Sequence, residues 1–193
     1  MPRKPVIVVT GPSGAGKGTL ISELLRHVPD LEHTISATTR EKRPGEENGR
    51  EYWFLTPEEF KRRVQAGEFL EHVTYVSGKC YGTLRSEIER VQASGKICVL
   101  ELETEGALAA KRELPEATTI FISAGIEELE RRLSDRATET SGEINDRLQL
   151  AREQLAQAFE FDYIVVNDSV ERATRELEQI VRRKMAVAAT MES

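Results

Sequence analysis

Residues 11–17 read GPSGAGK, and the spacing G-x-x-x-x-G-K is suited to holding an oligophosphate. Gly11, Gly14 and Gly16 let the backbone curl until several N–H groups point at one oxygen-rich anion. Pro12, Ser13 and Ala15 complete the loop, and a helix leaving it adds its dipole. Lys17 supplies a point charge for the β- and γ-phosphates. Gly18 follows the lysine, and the hydroxyl comes one position later, at Thr19. Thr19 is therefore the metal-ligand candidate of the loop, with Mg²⁺ held mostly by phosphate and water.

A second group of chemistry-bearing side chains lies further along. Arg40 and Arg43 are planar donors able to fork onto a dianionic phosphate. Tyr52 and Tyr81 can donate further hydrogen bonds to the same anion.

Such groups need a scaffold, and the hydrophobic pattern supplies one. Short apolar runs alternate with amphipathic segments, which predicts an α/β fold with a mainly parallel sheet. Residues 5–10 (PVIVVT) read as a buried strand entering the loop, and a helix follows through about Arg26. Residues 97–102, 118–122 and 163–166 are further core strands, with helices over 126–133, 143–159 and 170–185. In the second of these helices Ile144, Leu148, Ala151, Leu155 and Phe159 recur on one apolar face. The alanine-rich tail after Met185 lacks a clear face and is expected to fray.

Residues 36–94 have a different texture. A polar loop over 40–50 precedes a strand over 51–55. Thr56-Pro57-Glu58-Glu59 then marks a helix start, with a Thr cap, Pro in the first helical position and Glu two residues on. Gly67 ends that helix, and a strand-like run over 70–76 leads into a turn at Ser77-Gly78. The segment reads as a small α+β insertion on the parallel core.

The bulk numbers agree. A chain of 193 residues suits one domain, and a net charge of −6 opposes a broad nucleic-acid-binding surface while leaving 27 Lys and Arg to cluster locally. Cys80 and Cys98 form no Cys-x-x-Cys pair and read as reduced thiols, while His27, His33 and His72 show no ligand spacing. The apolar run near the N-terminus is too short for a signal peptide or a membrane span, which points to a cytoplasmic protein with no membrane partner.

Residues 36–54, SATTREKRPGEENGREYWF, closely resemble the guanylate kinase signature S-x-T-T-R-x-x-R-x-G-E-x-x-G-x-x-Y-x-F. Further matches fall at Glu71, at Tyr81-Gly82-Thr83, at Thr138-Glu139 and at Arg147, so the resemblance runs from the phosphate loop to Asn167-Asp168. It implies a P-loop-type parallel sheet flanked by helices: one domain over 1–193, with a core of about 1–35, 95–133 and 146–193. An acceptor-binding insertion would occupy about 36–94 and a short lid about 134–145.

The resemblance also implies roles. Residues Gly11 to Thr19, with Asn167 at the adenine, would bind ATP. Ser36, Arg40, Arg43, Glu46, Tyr52, Glu71, Tyr81, Thr83, Glu101 and Glu103 would bind GMP. Lys17, Arg43, Arg132, Arg136 and Arg147 would stabilise the transferring group. Guanine offers two adjacent donors, N1–H and the N2 amino group, which the Glu71 carboxylate can accept together. Adenine presents an acceptor at N1 instead, and an unpaired buried polar group is costly. Thr83 and Ser36 would serve the O6 acceptor.

Several positions depart from the family pattern. The interval from Glu71 to Tyr81 is one residue longer, with Cys80 where an aromatic is common. Glu101 and Glu105 replace Asp and Gln in the D-[IV]-D/E-x-Q-G motif, and Asp135-Arg136-Ala137 replaces G-R-G. The expected activity is direct in-line transfer of the ATP γ-phosphoryl group to GMP, and also to dGMP, with Mg²⁺ and without a covalent intermediate. The enzyme would be a monomer or a small homo-oligomer. Two rivals remain: a related kinase for another phosphorylated small molecule, and a non-catalytic guanylate kinase-like module that binds phosphopeptides.

Overall fold

The computed structural model of the chain describes residues 4–75, 77–134 and 141–191. In chain order the strands are β1 (Val6–Thr10), β2 (Leu31–His33), β3 (Ala37–Thr38), β4 (Trp53–Phe54), β5 (Phe69–Thr74), β6 (Cys80–Leu84), β7 (Ile97–Glu101), β8 (Thr118–Ser123) and β9 (Tyr163–Val166). The helices are α1 (Lys17–His27), α2 (Pro57–Gln65), α3 (Arg85–Ala93), α4 (Thr104–Glu113), α5 (Ile126–Ser134), α6 (Ser141–Ala156) and α7 (Val170–Met191).

A parallel sheet in the order β2-β7-β1-β8-β9 forms the core. All five residues of β1 are buried because helices cover both faces of the sheet. Ile7 and Val9 pack on one side with Leu20 and Leu24 of α1 and Leu177 and Val181 of α7. Val6 and Val8 face the other side with Ile88 and Val91 of α3 and Ala107 and Ala110 of α4. The expected fold class is therefore the observed one.

A second sheet, β4-β3-β6-β5, stands beside the core and carries α2. Its own small core joins Ala37, Phe60, Phe69 and Leu84. The helix start at Thr56 forms as expected, with its hydroxyl accepting from the Glu59 amide at 3.1 Å. The strand expected over 51–55 shortens to Trp53–Phe54, pairing in parallel with Ala37–Thr38.

Three further expectations change. Residues 31–33, 85–93 and 104–113 form β2, α3 and α4, none of which the apolar periodicity singled out. Phe159 leaves the apolar face of α6 because the helix ends at Ala156 and a 3-10 turn over Ala158–Glu160 turns the ring outward, 76% exposed. Finally, α7 continues to Met191 rather than ending near Met185, as its alanines are the strongest helix formers.

Candidate active site

The phosphate loop joins β1 to α1, and close backbone approach dictates its glycines. Gly11 has φ +140°, and a Cβ there would fall 2.1 Å from the Ile122 carbonyl oxygen. Gly16, at φ +86°, caps α1 in the left-handed region, and a Cβ there would meet Asn167 Nδ2 at 2.5 Å. Lys17 curls back over the loop, 9% exposed, and donates to the carbonyls of Gly11 (2.8 Å) and Pro12 (3.2 Å). Its ammonium is thus held at the loop opening.

Two residues brace the loop from behind. Arg132 of α5 donates to the Gly14 carbonyl (3.2 Å) and to the Asn167 carbonyl (3.1 Å), with Nε on Glu128 at 2.6 Å. Asn167, 2% exposed, donates from Nδ2 to the Ala15 carbonyl at 2.8 Å. The resemblance assigns Asn167 to the adenine, and in the structure its amide nitrogen is committed to the loop. Its Oδ1 is buried without a partner among the described residues.

Opposite the loop lies a cavity of about 920 Å³ between the core and the second sheet. It gathers Lys17, Ser36, Tyr52, Glu71, Tyr81, Glu101 and Glu103, seven of the side chains singled out from the sequence. Glu71 on β5 is 8% exposed, and burial pushes its carboxyl above the usual range while neighbouring Thr83 pulls the other way. Thr83 is fully buried, and its hydroxyl lies beside Glu71 without the alignment of a formed hydrogen bond.

The longer interval between Glu71 and Tyr81 is absorbed at the hairpin tip. Tyr75 N–H donates to the Lys79 carbonyl at 2.9 Å, Gly78 N–H to the Tyr75 carbonyl at 2.8 Å, and Gly78 adopts φ +76°. Upstream of that turn Glu71 still pairs with Thr83 and Val73 with Tyr81.

Arg40 stands at the rim of the cavity with its fork already set. Nη1 and Nη2 donate to Glu46 at 2.9 and 2.8 Å, and the guanidinium lies over the Tyr52 ring (5.3 Å) and the Phe54 ring (5.6 Å). Tyr52 in turn meets Tyr81 edge-on at 6.0 Å. Hydrogen bonds from Arg40 and from the Arg43 backbone amide hold the Glu46 carboxyl down to about 2. Glu46 therefore orients Arg40. The Arg43 side chain is exposed.

Ser36 is held through its backbone, its carbonyl accepting from the Trp53 amide at 2.9 Å. Glu87 of α3, almost fully buried, accepts from the Ile35 amide and from Trp53 Nε1, both at 3.0 Å, and so pins the segment entering the insertion. Sequence reasoning missed Glu87, since a glutamate in the first turn of a polar helix carries no signal of burial. It also missed Tyr75, which lines the cavity and meets Tyr81 edge-on at 5.2 Å.

Glu101 reaches toward the loop: a Cβ built on Gly18 would lie 3.7 Å from its Oε2. Burial raises the Glu101 carboxyl, Lys17 opposes that, and Glu103 adds to it. Thr19 is exposed one position further along α1. No cluster of three or more His, Cys, Asp or Glu side chains gathers as a metal site among the described residues. Hard oxygen donors that are few in number and lie beside a phosphate loop fit an ion bound chiefly through phosphate and water.

Arg147 lies on α6, half-buried. Residues 135–140, half of the expected lid, lie outside the described residues, and Arg136, Thr138 and Glu139 with them. Both cysteines are free thiols, Cys98 buried and Cys80 partly so.

The guanylate kinase family model matches residues 3–184. A guanylate kinase from Rubrobacter xylanophilus is 49% identical over 187 residues, covering 96% of this chain and 97% of that protein. One from Symbiobacterium thermophilum is 43% identical, covering 96% and 90% respectively. Among solved structures, the guanylate kinase from Anaplasma phagocytophilum superposes with a TM-score of 0.74 at 27% identity, over 96% of this chain and 88% of that one.

Proposed function

The chain belongs to the guanylate kinase family as an ATP-dependent nucleoside monophosphate kinase, and we propose that it transfers the γ-phosphoryl group of ATP to GMP within the cavity between Lys17 and Glu71. The observation that carries the acceptor assignment is the buried Glu71 carboxyl, paired in register with Thr83 and facing the same cavity as Lys17. Guanine N1–H and N2 amino groups satisfy such a carboxylate together, whereas adenine N1 would oppose it with a lone pair. dGMP shares the base and is accepted on the same grounds.

Each residue then has a task. The loop amides and Lys17 bind the β- and γ-phosphates. Arg40, oriented by Glu46 and supported by Tyr52, Tyr81 and the Arg43 side chain, holds the acceptor phosphate. Its oxygen attacks the γ-phosphorus in line, so no protein nucleophile is required. Arg132 supports the loop from behind, and Arg136 and Arg147 would neutralise charge on the transferring group. Thr19, Glu101 and Glu103 are the side chains suited to Mg²⁺ and its waters, and the ion would supply charge neutralisation of the phosphates when bound.

An intact loop with an ordered Lys17 favours a catalyst over a phosphopeptide-binding module, which has no use for a γ-phosphate site. No described helix is long and apolar enough to cross a membrane. The direct test is ADP release from Mg-ATP with GMP, dGMP, AMP, UMP and CMP as acceptors. Turnover confined to GMP and dGMP is expected; turnover with none of the five would overturn the assignment.

A further inference from the structure

Gly106 occupies the first turn of α4, with Glu103 as the cap residue, and α4 packs against β5. Its backbone is helical and not left-handed, so conformation does not require glycine there. A glycine in a helix is in fact less favourable than alanine by about 1 kcal/mol. What the position does require is empty space. A Cβ on Gly106 would fall 2.8 Å from Glu71 Oε2, 3.4 Å from its Cδ and 3.8 Å from its Cγ.

Glu71 cannot easily yield by shifting its main chain. On the neighbouring strand a Cβ at Gly82 would already lie 2.6 Å from the Glu71 carbonyl oxygen, so β5 and β6 are in close contact beside it. The carboxyl is the group left to move, and a rotation that clears the Cβ changes its bearing on the cavity.

We propose that Gly106 is a specificity-positioning residue: its missing side chain is the space that holds the Glu71 carboxylate in line with both guanine donors. The inference rests on Glu71 reading guanine, and deepens that assignment. Gly106 lines the cavity but has no side chain to offer a substrate, so the effect proposed for it passes through Glu71.

The test compares GMP with IMP, which lacks the N2 amino group, by kcat/KM and by calorimetric binding. Gly106→Ala is expected to raise the KM for GMP and reduce the GMP-over-IMP preference about tenfold or more, the scale of one lost buried hydrogen bond to a charged group. The KM for ATP should stay the same. The melting temperature supplies a control, because a merely structural alanine in a helix would leave it unchanged or raise it while leaving the preference intact.

The second arm places Gly106→Ala in a Glu71→Asp background, where the carboxyl is withdrawn by one methylene. There the alanine is expected to cost little further preference, a non-additivity that only coupling through residue 71 produces. An undiminished GMP preference in Gly106→Ala, or equal losses in both backgrounds, would overturn the proposal while leaving the role of Glu71 standing. A wild-type enzyme indifferent between GMP and IMP would overturn both.

Discussion

Asn167 Nδ2 donates to the Ala15 carbonyl across 2.8 Å, tying the residue that follows β9 to the underside of the phosphate loop. Gly16 must lack a side chain for the amide to fit there, since a Cβ would sit 2.5 Å from Nδ2. The loop is thus held in its phosphate-ready curve by the core sheet, a form of preorganisation. Truncation to Asn167→Ala leaves the Ala15 carbonyl unsatisfied and should cost about 1–3 kcal/mol of stability. Thermal denaturation checks the loss, and a raised KM for ATP with an unchanged KM for GMP should accompany it.

Lys17 is the loop's fixed charge. Its ammonium rests on the Gly11 and Pro12 carbonyls at the edge of the acceptor cavity. Lys17→Met keeps most of the side-chain volume and removes the charge. Steady-state turnover should fall by about 10²–10³-fold, the scale of removing one preorganised donor from a developing anion.

Arg40 depends on Glu46. Glu46→Gln replaces one of the two acceptors of the fork with a donor, so Arg40 should lose its fixed orientation. The KM for GMP is expected to rise several-fold while the KM for ATP stays constant, as measured by acceptor and donor titrations. Because the Glu46 carboxyl is depressed to about 2 from 4.5, this pairing is present above pH 4.5 and is lost as pH falls toward 2. At neutral pH, the mutation and not the pH is the useful probe.

Glu71 behaves in the opposite sense. Burial raises its carboxyl above 4.5, so between 4.5 and the raised value the unfolded chain holds this proton less tightly than the fold does. Stability from this group therefore falls as pH rises through that interval, and the penalty is fully present above the raised value. Glu71→Gln removes it, so the variant should melt at or above the wild-type temperature at pH 7 while binding GMP more weakly. In the wild type, GMP affinity should decline as pH drops below the raised value, because a protonated carboxyl cannot accept both guanine donors. Calorimetric titration across that range checks the direction.

Much of this site was legible because its residues are close in sequence or obey a strict pattern. The loop over 11–17 carries its chemistry in adjacent residues, and β1 announces itself by an unbroken buried run. Arg40, Glu46 and Tyr52 fall within one short signature, so their meeting at the rim needs little tertiary knowledge. What escaped was set by packing. Residues 31–33 form a strand of only three residues, too short to show a period, yet their pairing with β7 closes the sheet edge. The role of Glu87 depends on Ile35 and Trp53 arriving from distant positions. The contact of Asn167 with Ala15 likewise spans 152 residues of sequence separation.

The most direct measurement is the ratio of kcat/KM for GMP to that for AMP, in wild type and in Glu71→Gln. A buried carboxylate matched to guanine should give a wild-type preference of about 10⁴ or more. Glutamine turns a donor toward the guanine donors, so the preference should fall by about 10²-fold or more, with turnover in saturating ATP otherwise supported. If Glu71→Gln keeps the wild-type ratio, guanine is not read by Glu71, and the acceptor assignment built on this cavity is wrong.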